Sequence, residues 1–384
     1  MKIMFVIGSL QGGGAERVMH WLCECLAYQG HEVTLVTQHS KKDDVYVCSE
    51  AIYHCSLGGL SWNSKFRILS VVLNALRWRQ FLKKTADERK PDVIISFLDK
   101  INVSVLLAFF FRREPIIVCE RTDPSTGTPN SWLSWLRALF YRKGMTGVIF
   151  QAIRPFLYRQ KAAQVIFQTK GTQKSFSKKW KLQNTSVIPN AVTKSFAKAK
   201  VGQSTSRVIC VGRLHREKGQ DLLIKAWSIL GVRRGNWKLI LAGDGPEKSD
   251  YDAMIERLDL KDSVKIIGFR RDVIAEVKNA SIGVLPSRVE GFPNALIEMM
   301  ALGRAVIASD LPEACREIVV NGENGLLFNG NSSEELADAL EKLILDPDYC
   351  SALGNNALKV RERYSEEMCL KLWTQSIERV LKCD

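Results

Sequence analysis

Residues 284–310, VLPSRVEGFPNALIEMMALGRAVIASD, constrain the fold more than any other stretch of the chain. The apolar run Ile282–Leu285 reads as a strand that ends in a polar loop. A short helix follows from about Pro293 or Asn294 to Leu302, where Gly303 stops it, and Ala305–Ser309 is again a strand. Proline suits the first helical turn because its missing N–H would be unpaired there, and glycine is the usual residue just past a helix end. The loop Glu290-Gly291-Phe292-Pro293-Asn294 therefore delivers backbone N–H groups of Phe292, Asn294 and Pro293's other neighbours to one point. The positive end of a helix dipole lies there too, which suits an anion and above all a phosphate. Glu290 stands in that loop and Glu298 on the helix's second turn. A carboxylate beside a phosphate is unfavourable unless it has other work, such as accepting hydrogen bonds from sugar hydroxyls.

The same alternation runs through the rest of the chain. Strand Lys2–Gly8, a glycine loop GSLQGGG, helix Ala15–Gln29 and strand Glu32–Thr37 open it with a doubly wound crossover. G-x-G-x-x-G is missing, and Thr37-Gln38 stand where a dinucleotide fold needs an acid after the second strand, which disfavours an NAD enzyme. An amphipathic helix, Trp62–Lys84, precedes strands Val93–Phe97, Ile116–Cys119, Val165–Gln168 and Val187–Ile188. The polar stretch after Pro189-Asn190 reads as a linker over 193–206. A second alternating unit then begins, with strands at 207–211, 238–242, 264–267, 282–285, 305–308 and 325–328. Glu334–Leu345 is amphipathic, and Ser365 caps a final helix. The expected architecture is α/β, two Rossmann-like doubly wound domains facing across a cleft. Residues 1–192 form the first domain and 207–364 the second, with 365–384 a terminal helix.

A chain of 384 residues can bury two cores, and 46% hydrophobic with 25% charged residues is a globular composition. The longest apolar stretch, Val103–Phe111, falls well short of the roughly 20 residues a spanning helix needs. Met1–Leu10 reads as a buried strand rather than a signal peptide. Ten cysteines in no C-x-x-C or Cys/His metal spacing suggest reduced cytosolic thiols. Charge is uneven: residues 1–200 carry 30 Lys+Arg against 13 Asp+Glu, and residues 201–384 carry 25 against 28. Aromatics interleave with the cations at Trp78, Phe109–Phe111, Trp132, Trp135 and Tyr141. This pattern suits an anionic bilayer surface and comes without any nucleic-acid-binding signature. Solvated helix faces over core aromatics are the plainer account of the same residues.

Glu290 and Glu298, with seven residues between them that include Gly291 and Pro293, resemble the E-x7-E signature of the family-4 retaining glycosyltransferases, whose fold is GT-B. VGRLHREKGQDLLIKAW (211–227), LILAGDGPE (239–247) and GGGAER (12–17) resemble the same family. The resemblance implies that Arg213 and Lys218 clamp the donor's diphosphate and offset its charge as it leaves, Arg as a planar fork and Lys as a point charge. Glu298 is expected to hold the donor ribose and Glu290 the transferred sugar. Gly268 and Phe269 match the place where the family reads the base through backbone groups. Gly13 and Gly14 lie near diphosphate and acceptor, and Gly291, Phe292, Pro293 and Asn294 complete the donor set. Where many members carry a histidine this chain has Arg121. With Glu120 and Asp99, Arg121 forms the expected acceptor side, suited to a phosphate or an acidic sugar. Asp250-Tyr251-Asp252 would serve a metal–nucleotide in another fold, but it falls in a helix, where residues two apart diverge.

The expectation is a metal-independent hexosyltransferase without a cofactor. It would move sugar with retention from a nucleotide donor, expected to be UDP-linked, to a saccharide acceptor carried on a membrane lipid. Its place would be surface polysaccharide assembly (lipopolysaccharide O-antigen, capsule or exopolysaccharide), in the cytoplasm and peripheral on the inner face of the cell membrane. A catalytically silent nucleotide-sugar-binding partner and a UDP-sugar epimerase are the alternatives.

Overall fold

The computed structural model describes residues 1–59, 67–121, 144–202, 205–270 and 272–382. These fall into two compact units, Met1–Pro189 with Leu370–Asp384, and Asn190–Cys369.

In the first unit the strands are β1 Lys2–Ile7, β2 Glu32–Thr37, β3 Ile52–Ser56, β4 Val93–Phe97, β5 Ile116–Cys119, β6 Gln164–Phe167 and β7 Thr185–Val187. They form one parallel sheet in the order β3-β2-β1-β4-β5-β6-β7. Both faces are covered, which is why these strands read as continuous apolar runs rather than as alternating ones. Ile3, Phe5 and Ile7 enter one core, and Met4 and Val6 the other. The helix Glu366–Lys382 ends in this unit: Trp373, Ile377 and Val380 are buried in the first of those cores, and Trp373 stacks on Phe97 at 5.8 Å.

The second unit holds β8 Arg207–Val211, β9 Lys238–Ala242, β10 Val264–Gly268, β11 Ile282–Leu285, β12 Ala305–Ser309 and β13 Leu326–Phe328. These too are parallel, in the order β10-β9-β8-β11-β12-β13. Each sheet reverses its strand order once, between β1 and β4 and between β8 and β11. The carboxyl ends of strands at such a reversal are where open parallel sheets bind ligands.

Three expectations need correction. The edge strand β3 was not anticipated. The stretch read as a linker is not free: Phe196 is buried in the second unit's core, and Lys194–Ala197 is helical because that apolar side chain has a face to cover. The helix expected over Trp62–Lys84 is observed as Arg67–Arg89, its expected start lying outside the described residues. Trp132, Trp135 and Tyr141 with their neighbouring cations lie outside them as well. Among the described residues no helix is long and apolar enough to cross a membrane.

Candidate active site

The second unit's site forms at its switch point. The loop after β8 carries Arg213 and, in a single 3-10 turn Arg216–Lys218, Lys218. The loop after β11 carries Glu290. Lys218 Nζ donates to Glu290 Oε1 at 2.7 Å, and Ser287 Oγ donates to the same oxygen at 2.8 Å. Glu290 is 8% exposed, so the cation compensates a carboxylate that has little water left to solvate it. Arg213 remains exposed, with only a loose 3.9 Å approach to Glu217. It is a solvent-facing cation beside a fixed ion pair.

The two loops are fastened together at several points. A Cβ on Gly219 would lie 2.0 Å from the carbonyl oxygen of Pro286, and Gly219 adopts φ +70°, so only glycine fits. Arg288 forks onto Asp221 with bonds of 2.7 and 2.8 Å, and its backbone N–H donates to Glu217 at 2.8 Å. Burial alone would raise the Asp221 carboxyl, but the Arg288 fork pulls it below its usual range. From the other side the Gly243–Gly245 turn clasps the Arg213 loop. Leu214 N–H donates to Asp244 O at 2.9 Å, and a Cβ on Gly243 would strike Gly212 O at 1.9 Å. The glycines of LILAGDGPE thus serve backbone packing around Arg213.

The helix Asn294–Ala301 follows the second loop with Pro293 at its cap position, one place before the first helical turn. Glu298 is buried on its second turn, 7% exposed. Two details differ from expectation. The Asn294 N–H donates to Phe292 O at 3.0 Å and is already used, which leaves Gly291 and Phe292 to supply amides in this turn. The Phe292 ring is a core residue packed edge-on to Tyr364 at 5.7 Å, so only its backbone is available to a ligand. Asn190 Nδ2 donates to Asn294 Oδ1 at 2.9 Å and steadies the cap. Gly268, at φ +72°, accepts from Gly243 N–H, and the Phe269 ring beside it is 70% exposed. Arg213, Lys218, Glu290 to Asn294, Glu298, Gly268 and Phe269 thus all gather at one sheet edge. Asp250 and Asp252 do not: they lie on the helix Lys248–Arg257, where Lys248 pairs with Asp252.

The first unit's residues also share an edge, at the ends of β1, β4 and β5. Gly13 caps the helix Gly14–Tyr28, and the space a Cβ would take at Gly13 is filled by the Glu16 carboxylate, 2.0 Å away. After β4, Leu98 holds a left-handed φ of 77°, an uncommon conformation for a leucine, and Asp99 begins a helix. Asp99 Oδ1 accepts from Lys100 N–H at 2.8 Å, and its other oxygen is 3.8 Å from Arg154. Glu120 corrects the expectation of an acceptor-facing acid. It is 1% exposed and turned inward, where Arg154 forms a salt bridge to it and Tyr158 Oη donates to it at 3.1 Å. Arg121, half-buried, lies over the Phe97 ring at 4.0 Å. Burial lowers it to about 10 despite the opposing influence of Cys119 and Glu120, so it stays cationic at neutral pH. Arg154 and Arg288 were not singled out from the sequence, because nothing local marks a charge whose partner lies far along the chain.

Two family models match: Glycosyltransferase Family 4 over residues 12–196 and Glycosyl transferases group 1 over residues 192–360. The chain belongs to these glycosyltransferases and has their GT-B fold. It is similar to an uncharacterized glycosyltransferase of Haemophilus influenzae, 26% identical over 97% of this chain and 98% of that one. It is likewise similar to the GalNAc-alpha-(1->4)-GalNAc-alpha-(1->3)-diNAcBac-PP-undecaprenol alpha-1,4-N-acetyl-D-galactosaminyltransferase of Campylobacter jejuni, 27% identical over 99% of both chains. The crystal structure of Anabaena HepE in complex with UDP superposes with a TM-score of 0.77 at 20% identity, covering 99% of this chain and 100% of that one.

Proposed function

We propose that this glycosyltransferase is a hexosyltransferase that moves sugar with retention from a UDP-sugar to a lipid-linked saccharide in surface polysaccharide synthesis. The observation that carries the reading is the Lys218–Glu290 pair at the switch point of the second sheet. It sets a cation for the diphosphate and an acid for the sugar side by side, on loops that interlocked glycines hold still. In this reading the bond from the sugar's anomeric carbon to the UDP oxygen breaks, and a new bond forms to the acceptor hydroxyl oxygen. The hydroxyl proton passes to the departing diphosphate. Arg213 and Lys218 neutralise the charge that grows on that group, which is the largest rate contribution such a site supplies. No metal ion is needed where two cations do that work.

The donor assignment is supported by the UDP held by HepE, and the acceptor assignment by the undecaprenol diphosphate in the name of the Campylobacter relative. Arg121, cationic and lying over the Phe97 ring, is suited to an acceptor's phosphate. Peripheral contact with an anionic membrane is supported by residues 151–200, which hold eleven Lys+Arg and no acid. On the helix Lys170–Trp180 and just after it, Lys174, Lys178 and Lys181 are exposed. The test is to incubate the protein with UDP-sugars and undecaprenol-diphosphate saccharides, following UDP release and the anomeric configuration of the product by NMR. Lengthening of the glycan with the donor's configuration kept is the expected result. An epimerised donor without any acceptor, or no turnover with any donor, would refute it.

A further inference from the structure

Helix Gly14–Tyr28 carries His20 and Glu24 four residues apart on one face, and the 44–50 segment brings Cys48 against them. His20 Nε2 and Glu24 Oε1 are 3.6 Å apart, and the imidazole nitrogen, carboxylate oxygen and thiol sulfur all lie within 4.8 Å of one another. A His–Glu pair at this spacing is by itself an ordinary helix-surface contact. The thiol delivered from a second segment distinguishes it, and so does the way the ligands are held. Ser49 donates to Glu24 twice, from N–H to Oε1 at 2.8 Å and from Oγ to Oε2 at 2.7 Å. The His20 ring stacks on Tyr46 with centroids 5.6 Å apart. His20 Nε2–H donates to the Val47 carbonyl oxygen at 3.0 Å, which fixes the ring against the same segment. Such outer contacts orient metal ligands and tune their affinity.

We propose that His20, Glu24 and Cys48 form a site for a divalent cation of the zinc class, independent of the transfer reaction. One nitrogen, one oxygen and one sulfur ligand suit a borderline-soft ion with tetrahedral preference and do not suit magnesium or calcium. On binding, Cys48 releases its thiol proton to solvent, and His20 exchanges its Nε2 proton with solvent for one on Nδ1, giving up the bond to Val47 O so that the Nε2 lone pair reaches the ion. The ion would tie the 44–50 segment to the helix. That segment in turn holds the glycine loop: Val45 and Tyr46 N–H donate to Leu10 O at 2.9 and 3.4 Å, and Leu10 N–H donates to Asp44 Oδ1 at 3.3 Å. The cation therefore braces the loop that leads into Gly13 and Gly14.

The test is to strip the full chain with a chelator and titrate it with Zn²⁺ by calorimetry and with Co²⁺ by absorption. Expected are about one equivalent of each metal and a thiolate-to-cobalt charge-transfer band. Cys48→Ser should remove the band and weaken Zn²⁺ binding by at least tenfold, and Ser49→Ala should weaken it by about tenfold. Zn²⁺ should raise the melting temperature of the parent chain and not that of Cys48→Ser. His20→Gln supplies the same comparison if Cys48→Ser does not fold. No stoichiometric binding, a band that survives Cys48→Ser, or undiminished affinity in His20→Gln overturns the proposal.

Discussion

Lys218 and Glu290, brought together at 2.7 Å, span the gap between the ends of β8 and β11. Removing either leaves the other partly uncompensated. Lys218→Ala and Glu290→Gln are each expected to lower kcat by about 10²- to 10³-fold, the range seen when one charge-stabilising group is lost. Because the two act as a unit, the double variant should be little worse than the single ones. UDP release measured alongside melting curves checks this, the curves showing that the fold is retained.

Gly219 lies where its missing side chain makes room for the Pro286 carbonyl. Gly219→Ala meets both a left-handed backbone and a contact of 2.0 Å with an oxygen that belongs to the next loop. The expected cost is about 2 kcal/mol or more, with larger losses of activity than of secondary structure. Urea denaturation compared with circular dichroism of the native state decides it.

Arg154 is buried among Tyr158, Phe176 and Trp180 and paired with Glu120. Burial works against its charge, but Glu120 first, then Tyr158 and Asp99, outweigh that and raise its pKa. Arg154→Met strands the Glu120 carboxylate and should destabilise the first unit by about 3–5 kcal/mol. Glu120→Gln added to Arg154→Met should recover part of that loss. Chemical denaturation of the three variants is the measurement.

His54 supplies a pH dependence. Burial, and then the Lys41 charge, lower its pKa from 6.5 to about 4. Thr37 and Asp44 also face it, the latter at 4.0 Å. A histidine depressed on folding contributes stability in full above pH 6.5, and that contribution is lost as pH falls toward 4, since the unfolded chain takes up the proton first. The denaturation midpoint should therefore decline across that window, and His54→Gln should flatten the decline. Equal slopes in parent and variant would rule this out.

The sheets were legible to the extent that their strands are buried on both faces. VICV, LILA and IGVL are uninterrupted apolar runs, and the observed strands lie within about a residue of where those runs place them. β3 was invisible for the opposite reason. Its IYHCS alternates apolar with polar and ionisable residues and is buried only at Ile52, as befits an edge. Phe196 shows a second limit, since one aromatic in a lysine-rich stretch gives no periodicity, yet it suffices to pin the expected connector to a core. The position of Glu290 and Lys218 on strand-end loops could be read from glycine and proline punctuation. That they touch could not, nor could the Arg288–Asp221 fork or the meeting of Cys48 with His20 and Glu24. Those contacts depend on strand order, which local pattern does not encode.

The polypeptide passes between its two units twice, after Pro189 and again within the helix Glu366–Lys382. Residues 1–189 expressed alone would thus lack Trp373 and Ile377 and leave a hole beneath Phe97, whereas a fragment from 190 onward would carry that missing plug with it. A single proteolytic nick near 190 should accordingly yield two pieces that stay associated, and mixing the separately made fragments should restore one particle.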